Sequence, residues 1–439
     1  MRKLLLFLLL TNGLVTVAQV QFSSLNDVIT HAKANNPALK AEDLNQQVSD
    51  QRLKTAWSAL LPTVRAFGTL DNNISLPVQL VPAEFLGGPE GEFAKVQFGT
   101  QFASTYGAEA NLTLVNASNW KNIKASSLAK ESSRYQYLDR ELSLTEQVIA
   151  AYYFALLSRE SIILNEELLD AADSLLSAAS VRLQNGMIEP LEFNRVKSLF
   201  LETETQLRES EGAYQKNLNT LKALINIAGK DSLILTESIA STISRTQPSS
   251  LAISFSQLPR YRMLNSRYQQ SAEDLKRQQL RVLPELSVYG RYTRQAFNNE
   301  FEIFSSSQSW FDVGVIGLRA EWNIFSGFAR QSSIRQASLQ SRSAQLELEN
   351  YTRQSEKELE ELAINHRVAA EGLAKFTEHF ELNAANHRIA GDKYTEGIYT
   401  IDQYVTIYQE RVRSQNQYLS KLASFLIYES MIQSRNLLK

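Results

Sequence analysis

The chain is written twice, and that doubling limits its possible folds more than any other feature. Pro37 and Pro62 are spaced as Pro259 and Pro284 are. Each second proline follows a leucine and opens an alternating stretch. One reads Leu61-Pro62-Thr63-Val64-Arg65-Ala66-Phe67-Gly68, the other Leu283-Pro284-Glu285-Leu286-Ser287-Val288-Tyr289-Gly290. Gly186 in Arg182-Leu183-Gln184-Asn185-Gly186-Met187-Ile188 has a counterpart in Gly397, within Lys393-Tyr394-Thr395-Glu396-Gly397-Ile398-Tyr399. A duplicated unit of about 200 residues is too long for a solenoid repeat. It implies two copies of one substructure and a pseudo-symmetric protomer.

Residues 1–18 read as a secretory leader. Arg2 and Lys3 supply the positive end, Leu4 to Leu10 the apolar stretch, and Thr16-Val17-Ala18 a small-residue cleavage site before Gln19. Beyond it the longest apolar run, Val148 to Leu157, falls short of the roughly 20 residues a helical span requires. An exported chain of this kind crosses a membrane only as β-strands. Cysteine is absent, which removes disulfides, thiolate metal sites, cysteine nucleophiles and a lipid-modified cysteine. The net charge of −2 gives no bulk attraction to nucleic acid.

Proline is missing between Pro89 and Pro190 and after Pro284. The first tract predicts a helix from about 119 to 183, roughly 95 Å long at 1.5 Å per residue. Leu128, Tyr135, Leu142, Ile149, Leu156 and Ile163 form a heptad seam there, with Leu138 and Tyr152 at the alternate position, which Glu131, Arg159 and Glu166 interrupt. A second helix, about 191–227, carries the seam Phe193, Phe200, Leu207, Tyr214 and Leu221, with Val196 and Leu224 at the alternate core position. Asn185-Gly186 is a turn signal and Pro190 suits a first helical turn, so the two helices form an antiparallel hairpin. The second copy repeats it with helices over about 329–394 and 401–437, the latter with Val405, Tyr408, Val412, Leu419, Leu422 and Leu426 on one face. Each copy begins with short helices, over 25–60 and about 261–283. The copies span 19–228 and 257–439, and 229–256 reads as an irregular linker.

Between short and long helices lie four alternating stretches, about 62–73, 106–116, 284–295 and 311–325. Ala108, Ala110, Leu112 and Leu114 fall on one face, opposed by Glu109, Asn111 and Thr113; Ile316, Leu318 and Ala320 are opposed by Arg319 and Glu321; Val64 and Ala66 by Arg65. Each stretch is near the nine to eleven residues that cross a bilayer obliquely. An apolar face toward lipid and a polar face toward a lumen accounts for the pattern. Arg65, Glu109, Asn111, Arg319 and Glu321 are the lumen candidates, and they also suit ion pairing between strands. Four strands cannot close a porous barrel, and an open edge is intolerable in lipid. Several protomers must therefore share one. Long aromatic-rich loops, about 72–105 and 296–310, suit an exposed rim.

The leader, the doubled order short helix–strand–strand–long helix–helix, Asn36-Pro37 with Leu61-Pro62, the strand exit Trp322-Asn323-Ile324-Phe325-Ser326-Gly327, and the glycine tips together resemble the outer membrane efflux protein family, the TolC-like channel-tunnels. The first copy's equivalent of the strand exit, Leu112-Thr113-Leu114-Val115-Asn116-Ala117, lacks the glycine. The resemblance implies a mainly α protein with a β-barrel portion: a homotrimer whose 12-stranded outer-membrane barrel continues into a periplasmic coiled-coil α-barrel. It implies a passive exit duct in the outer membrane of a Gram-negative bacterium, contacting outer-membrane lipid. Partners would be a periplasmic adaptor (membrane fusion) protein and an inner-membrane pump of RND, ABC or MFS type. The tips carried over as adaptor-docking and closing elements are Leu183, Asn185, Gly186, Met187 and Ile188, with Thr395, Glu396, Gly397, Ile398 and Tyr399. Some members ring the aperture with acids just past the second tip. Here Asp402 is the nearest acid, and Gln403 and Thr406 stand at the sixth and ninth positions past Gly397, so this chain departs from the acidic ring at those positions.

The plain readings stand beside these. Gly186 and Gly397 serve as turn glycines with positive φ, and Asp402 as a carboxylate at a helix N-terminus. His379 and His387 lie two turns apart on one helix and read as solvated or seam residues, not metal ligands. No catalytic motif and no cofactor motif appears, so an enzyme is disfavoured. A periplasmic or surface coiled-coil scaffold without a pore is the alternative, and a stand-alone porin does not explain two long hairpins.

Overall fold

The computed structural model describes residues 19–245, 249–302 and 305–438, so the expected leader lies outside the described residues. The elements run β1 (Gln19–Phe22), α1 (Leu25–Asn35), α2 (Pro37–Ser58), β2 (Thr63–Asn72), β3 (Val78–Pro82), β4 (Phe93–Gln97), β5 (Phe102–Val115), α3 (Ala117–Gln184) and α4 (Pro190–Leu224). There follow β6 (Ser232–Leu235), α5 (Ile239–Arg245), α6 (Pro259–Leu280), β7 (Glu285–Asn298), β8 (Phe311–Glu321), α7 (Ala329–Thr395) and α8 (Ile401–Asn436). The chain forms two compact units. One comprises Gln47–Ser132 and Leu264–Glu347; the other takes the described residues through Gln46, Ser133–Met263 and those from Leu348 on. Each draws on both halves of the sequence, so the repeated copies interleave rather than fold side by side.

In the first unit β2, β5, β7 and β8 form an antiparallel sheet in that order. β5 begins earlier than the alternation predicts, at Phe102, and β8 stops at Glu321, before the Trp322–Gly327 exit. A register shift between Thr113 and Val115 bends the end of β5. Gly107 permits the β5–β7 approach: a Cβ there would lie 2.2 Å from the Tyr292 carbonyl oxygen. The 72–105 loop also contains the β3–β4 hairpin, which its Pro and Gly content concealed. Asn116 caps α3, its side chain accepting from the amides of Ser118 and Asn119 at 3.0 and 3.2 Å. Helical parts of the unit are joined by Lys121–Glu273 at 2.9 Å and Lys130–Asp50 at 2.9 Å.

In the second unit Val148, Tyr152 and Leu156 of α3 pack with Leu221 of α4 and its C-cap Ile225, Leu422 and Leu426 of α8, and Val28, Ala32 and Leu39 of α1 and α2. The Asn36-Pro37 signature has a direct cause. Asn36 accepts from the amides of Ala38 and Leu39 and donates to the Leu224 carbonyl at 2.8 Å, while Pro37 opens α2. The 229–256 stretch expected to be irregular holds β6 and α5. β6 pairs in parallel with β1, a pairing so short and so distant in sequence that no local pattern announces it. Arg159, one of the residues that interrupts the heptad seam, donates to the carbonyls of Leu235 and Glu237 and so fastens this segment.

Two seams are corrected. Ile163 is exposed, and the buried line of α3 continues through Leu164, Leu168 and Leu175. On α4 the expected Val196 and Leu221 are buried, together with Leu199, Thr203, Ser210 and Leu218, while Phe193, Phe200 and Leu207 are half-buried. The strict seven-residue spacing drifts from a straight helix's 3.6-residue turn. α3 is the one helix among the described residues long and apolar enough, by length and composition, to cross a membrane, which qualifies the expectation of none. Within its apolar stretch Val148, Ile149, Tyr152, Ala155 and Leu156 are buried in the core, while Phe154 is exposed.

Candidate functional sites: the hairpin tips and the strand wall

Both hairpin tips turn by the same device. At the first, Met187 N–H donates to the Arg182 carbonyl at 2.8 Å and Gly186 N–H to the Leu183 carbonyl at 3.0 Å; at the second, Ile398 donates to Lys393 at 2.8 Å and Gly397 to Tyr394 at 3.0 Å. Gly186 and Gly397 have φ of 68° and 78°. This is the Schellman closure, which places a left-handed residue just past the helix and satisfies its last carbonyls. Re-entry differs. Pro190 opens α4 without a side-chain cap, whereas Thr400 caps α8 with a capping box completed by Gln403.

That box commits Gln403 to the helix start, where its Oε1 accepts from the Thr400 amide at 2.9 Å. Thr406 donates its hydroxyl to the Asp402 carbonyl at 2.9 Å, and Asp402 pairs with Arg195 of α4. So Gln403 and Thr406 are engaged within the start of α8, while the Asp402 ion pair joins one hairpin to the other. Two more links do the same. Arg182 Nη1 donates to the Tyr394 carbonyl at 3.0 Å, and Tyr394 hydroxyl donates to Glu192 Oε1 at 3.1 Å. Burial and Glu192 push the Tyr394 phenol up to about 12. Arg182, Glu192, Arg195 and Tyr394 escaped sequence reasoning, because nothing in one helix's pattern says which neighbour a side chain reaches.

The remaining tip candidates divide in two. Asn185, Met187, Glu396 and Ile398 are exposed, as is Thr395, whose hydroxyl donates to the Asp392 carbonyl at 2.7 Å. Leu183 is half-buried; Ile188 and Tyr399 pack against the cluster of Leu175, Val196, Tyr394, Ile401 and Tyr404. Lys393 lies over the Tyr399 ring at 4.9 Å.

Away from the tips the interior turns polar. His387 and Tyr404 share a hydrogen bond of 2.8 Å, and burial, with the nearby Arg411, lowers the imidazole to about 4. Arg411 itself is buried, stacked over Phe380 at 4.2 Å and bonded to Gln415 at 2.9 Å; burial lowers its pKa. Gln415 continues to Asn165, and Asn165 to Ser210. Further along, His366 Nε2 lies 2.7 Å from Glu429. Burial works to raise the Glu429 carboxyl, but hydrogen bonds from Ser249, Gln433 and His366 hold it below its ordinary range. His379, by contrast, joins no such pair, and no group of His and carboxylates among the described residues is arranged to hold a metal.

The sheet brings the five lumen candidates to one face. Register pairs Arg65 with Glu109 and Glu109 with Arg291, Thr63 with Asn111, Ser287 with Arg319, and Glu285 with Glu321. Arg65 and Glu109 form a 3.1 Å ion pair, and Arg319 lies over the Tyr289 ring at 4.8 Å. Arg291 belongs to the same row. On the opposite face Val64, Ile316 and Leu318 are 73%, 87% and 71% exposed. β2 and β8 end the sheet without strand partners among the described residues. Such a wall has an apolar side, a charged side and two unsatisfied edges.

The outer membrane efflux protein family model matches residues 28–226. No curated protein matches the chain. Among solved structures, the CmeC outer membrane channel of Campylobacter jejuni is similar with a TM-score of 0.73 at 16% identity, covering 94% of this chain and 85% of that one. The outer membrane protein VceC of Vibrio cholerae gives 0.68 at 14% identity, covering 94% of each. The open state of the Neisseria gonorrhoeae MtrE outer membrane channel gives 0.70 at 13% identity, covering 94% and 88%. At these identities the likeness is one of fold.

Proposed function

We propose that this chain, an outer membrane protein of the outer membrane efflux protein family, is the exit duct of a tripartite efflux or type I secretion system. In this reading it passes solutes passively from a periplasmic adaptor and inner-membrane pump to the exterior. One observation carries the reading: a four-stranded sheet with an exposed apolar face, a charged face and two open edges. In lipid, unpaired backbone groups at an edge cost several kcal/mol each, roughly, so β2 of one copy must meet β8 of another. Three copies give 12 strands and a lumen lined by the row of Arg65, Glu109, Asn111, Arg291, Arg319 and Glu321.

The duct performs no chemistry. The barrel keeps one end open, and the hairpins shut the other. Exposed Met187 and Ile398, flanked by Asn185 and Glu396, suit docking of an adaptor's helices. Packing of Tyr399 and Ile401, together with the links made by Arg182, Glu192 and Arg195, holds the tips closed. Planar-bilayer recording tests this. The wild type should show low conductance, and Arg182→Ala with Arg195→Ala should raise it several-fold. A conductance unchanged by that pair would overturn the closed-tip account, and no channel activity at all would overturn the duct.

A further inference from the structure

The four places where strands meet helices in the sheet unit lie at one end of the sheet. β2 begins there, β5 ends there, β7 begins and β8 ends, with Thr63 opposite Asn111, Val115 opposite Leu286, and Glu285 opposite Glu321. The flanking segments 51–62, 116–124, 276–284 and 322–335 contain nine Lys or Arg and no Asp or Glu. Yet the whole chain holds 45 basic and 47 acidic residues. The other end of the same strands has the opposite sign: 73–101 carries Glu84, Glu90 and Glu92 against Lys95, and 299–310 carries Glu300 and Glu302 with no cation.

The basic end is also aromatic. Trp57 and Trp120 meet edge to face at 6.5 Å while each stays half exposed, and Trp322, Phe325 and Phe328 are exposed at the exit of β8. Lys54 stands three before Trp57 and Lys124 four after Trp120, so each shares a helix face with its tryptophan. Arg335 stands in the second turn of α7, just beyond the exposed Phe328 that precedes the helix. Lys121, Lys276 and Arg277 pair with carboxylates. Lys54, Lys124 and Arg335 are exposed and make no ion pair among the described residues.

We propose that these junctions form a belt that binds the phosphates of anionic phospholipid, in the leaflet at the helix end of the barrel. The rings sit at the boundary between acyl chains and headgroups, and the cations one or two turns beyond them meet the phosphates. Charge complementarity selects this occupant over neutral lipid, and the acidic loops at the far end disfavour the same headgroups there. The proposal rests on the membrane reading above.

The test uses tryptophan quenching in the full mature protein, carrying Trp310→Phe so that Trp57, Trp120 and Trp322 report from the junctions. Vesicles contain dibrominated phosphatidylglycerol or dibrominated phosphatidylcholine. The belt predicts a roughly five-fold preference for phosphatidylglycerol at low salt, a size set by a cation close to an anionic surface. The preference should shrink toward parity at high salt, and in the triple variant Lys54→Gln, Lys124→Gln, Arg335→Gln. Equal quenching by the two lipids overturns the belt alone, as does a preference that survives both salt and the triple variant. Quenching by neither lipid overturns the belt and the membrane reading together. The salt titration on unaltered junctions stands even if the triple variant fails to assemble.

Discussion

Arg182, in the last turn of one hairpin's first helix, donates its Nη1 to the carbonyl oxygen of Tyr394, in the last turn of the other's, at 3.0 Å. A cation at a helix C-terminus is favourable in itself, and here it belongs to the neighbouring hairpin. Its second terminal nitrogen occupies the space beside Gly397, 2.9 Å from where a Cβ would stand. The two tips are thus not equivalent, although their turns are.

That difference separates two substitutions. Gly186→Ala strains a left-handed residue in open space and should cost about 1 kcal/mol. Gly397→Ala adds displacement of Arg182 and loss of its bond to Tyr394. The thermal midpoint should fall further for Gly397→Ala, and of the two glycine variants only that one should raise the conductance, in the direction expected of the Arg182→Ala, Arg195→Ala pair.

His387 gives a pH dependence with a definite sign. Its folded imidazole titrates at about 4, below the ordinary 6.5, because it is buried and faces Arg411. Between those values the unfolded chain binds the extra proton, so stability is full above about pH 6.5 and lost as the pH falls toward 4. The loss is on the order of 1–3 kcal/mol. Unfolding followed from pH 7 to pH 4 should show it, and His387→Gln should flatten that segment of the curve.

Glu429 accepts hydrogen bonds from Ser249 N–H, from Gln433 at 2.7 Å and from the His366 ring. Glu429→Gln keeps the shape but turns an acceptor into a donor toward Ser249 or His366. A buried donor left unsatisfied costs about 1–3 kcal/mol. Denaturant unfolding should read that loss, while Glu429→Gln leaves single-channel conductance unchanged because the residue is remote in sequence from both tips.

The two faces of the sheet should respond oppositely to charge. Ile316→Arg or Leu318→Arg places a cation on the apolar face and should cost roughly 2–4 kcal/mol at mid-bilayer depth, seen as loss of folded protein from the membrane fraction. Arg65→Glu on the other face should insert normally and shift ion selectivity toward cations in reversal-potential measurements. Equal tolerance at both faces would contradict the assignment of lipid and lumen sides.

Much of this was legible in the chain because it is periodic. Alternation around Glu109 and Arg319 fixed which residues share a face, and Gly186 and Gly397 marked turns that need a positive φ. Long proline-free tracts announced α3 and α7. The parallel β1–β6 pair, the role of Arg159 and the contacts of Arg182 and Arg195 were hidden, since each depends on a partner far along the chain. The aperture candidates were read from their distance past Gly397, a spacing that says nothing of a capping box; the structure gives Gln403 that local duty and Asp402 a partner in Arg195. Helix seams shifted for a related reason: heptad spacing locates a stripe, but the neighbours on each side decide which edge of it is buried.

The central claim is that copies of this chain complete one another's sheet, β2 of one against β8 of the next. The mass and membrane fraction of the detergent-extracted mature protein test it most directly. The account predicts a trimer recovered from the outer membrane. A monomer or dimer recovered from the aqueous periplasmic fraction would contradict it and favour a coiled-coil scaffold without a pore.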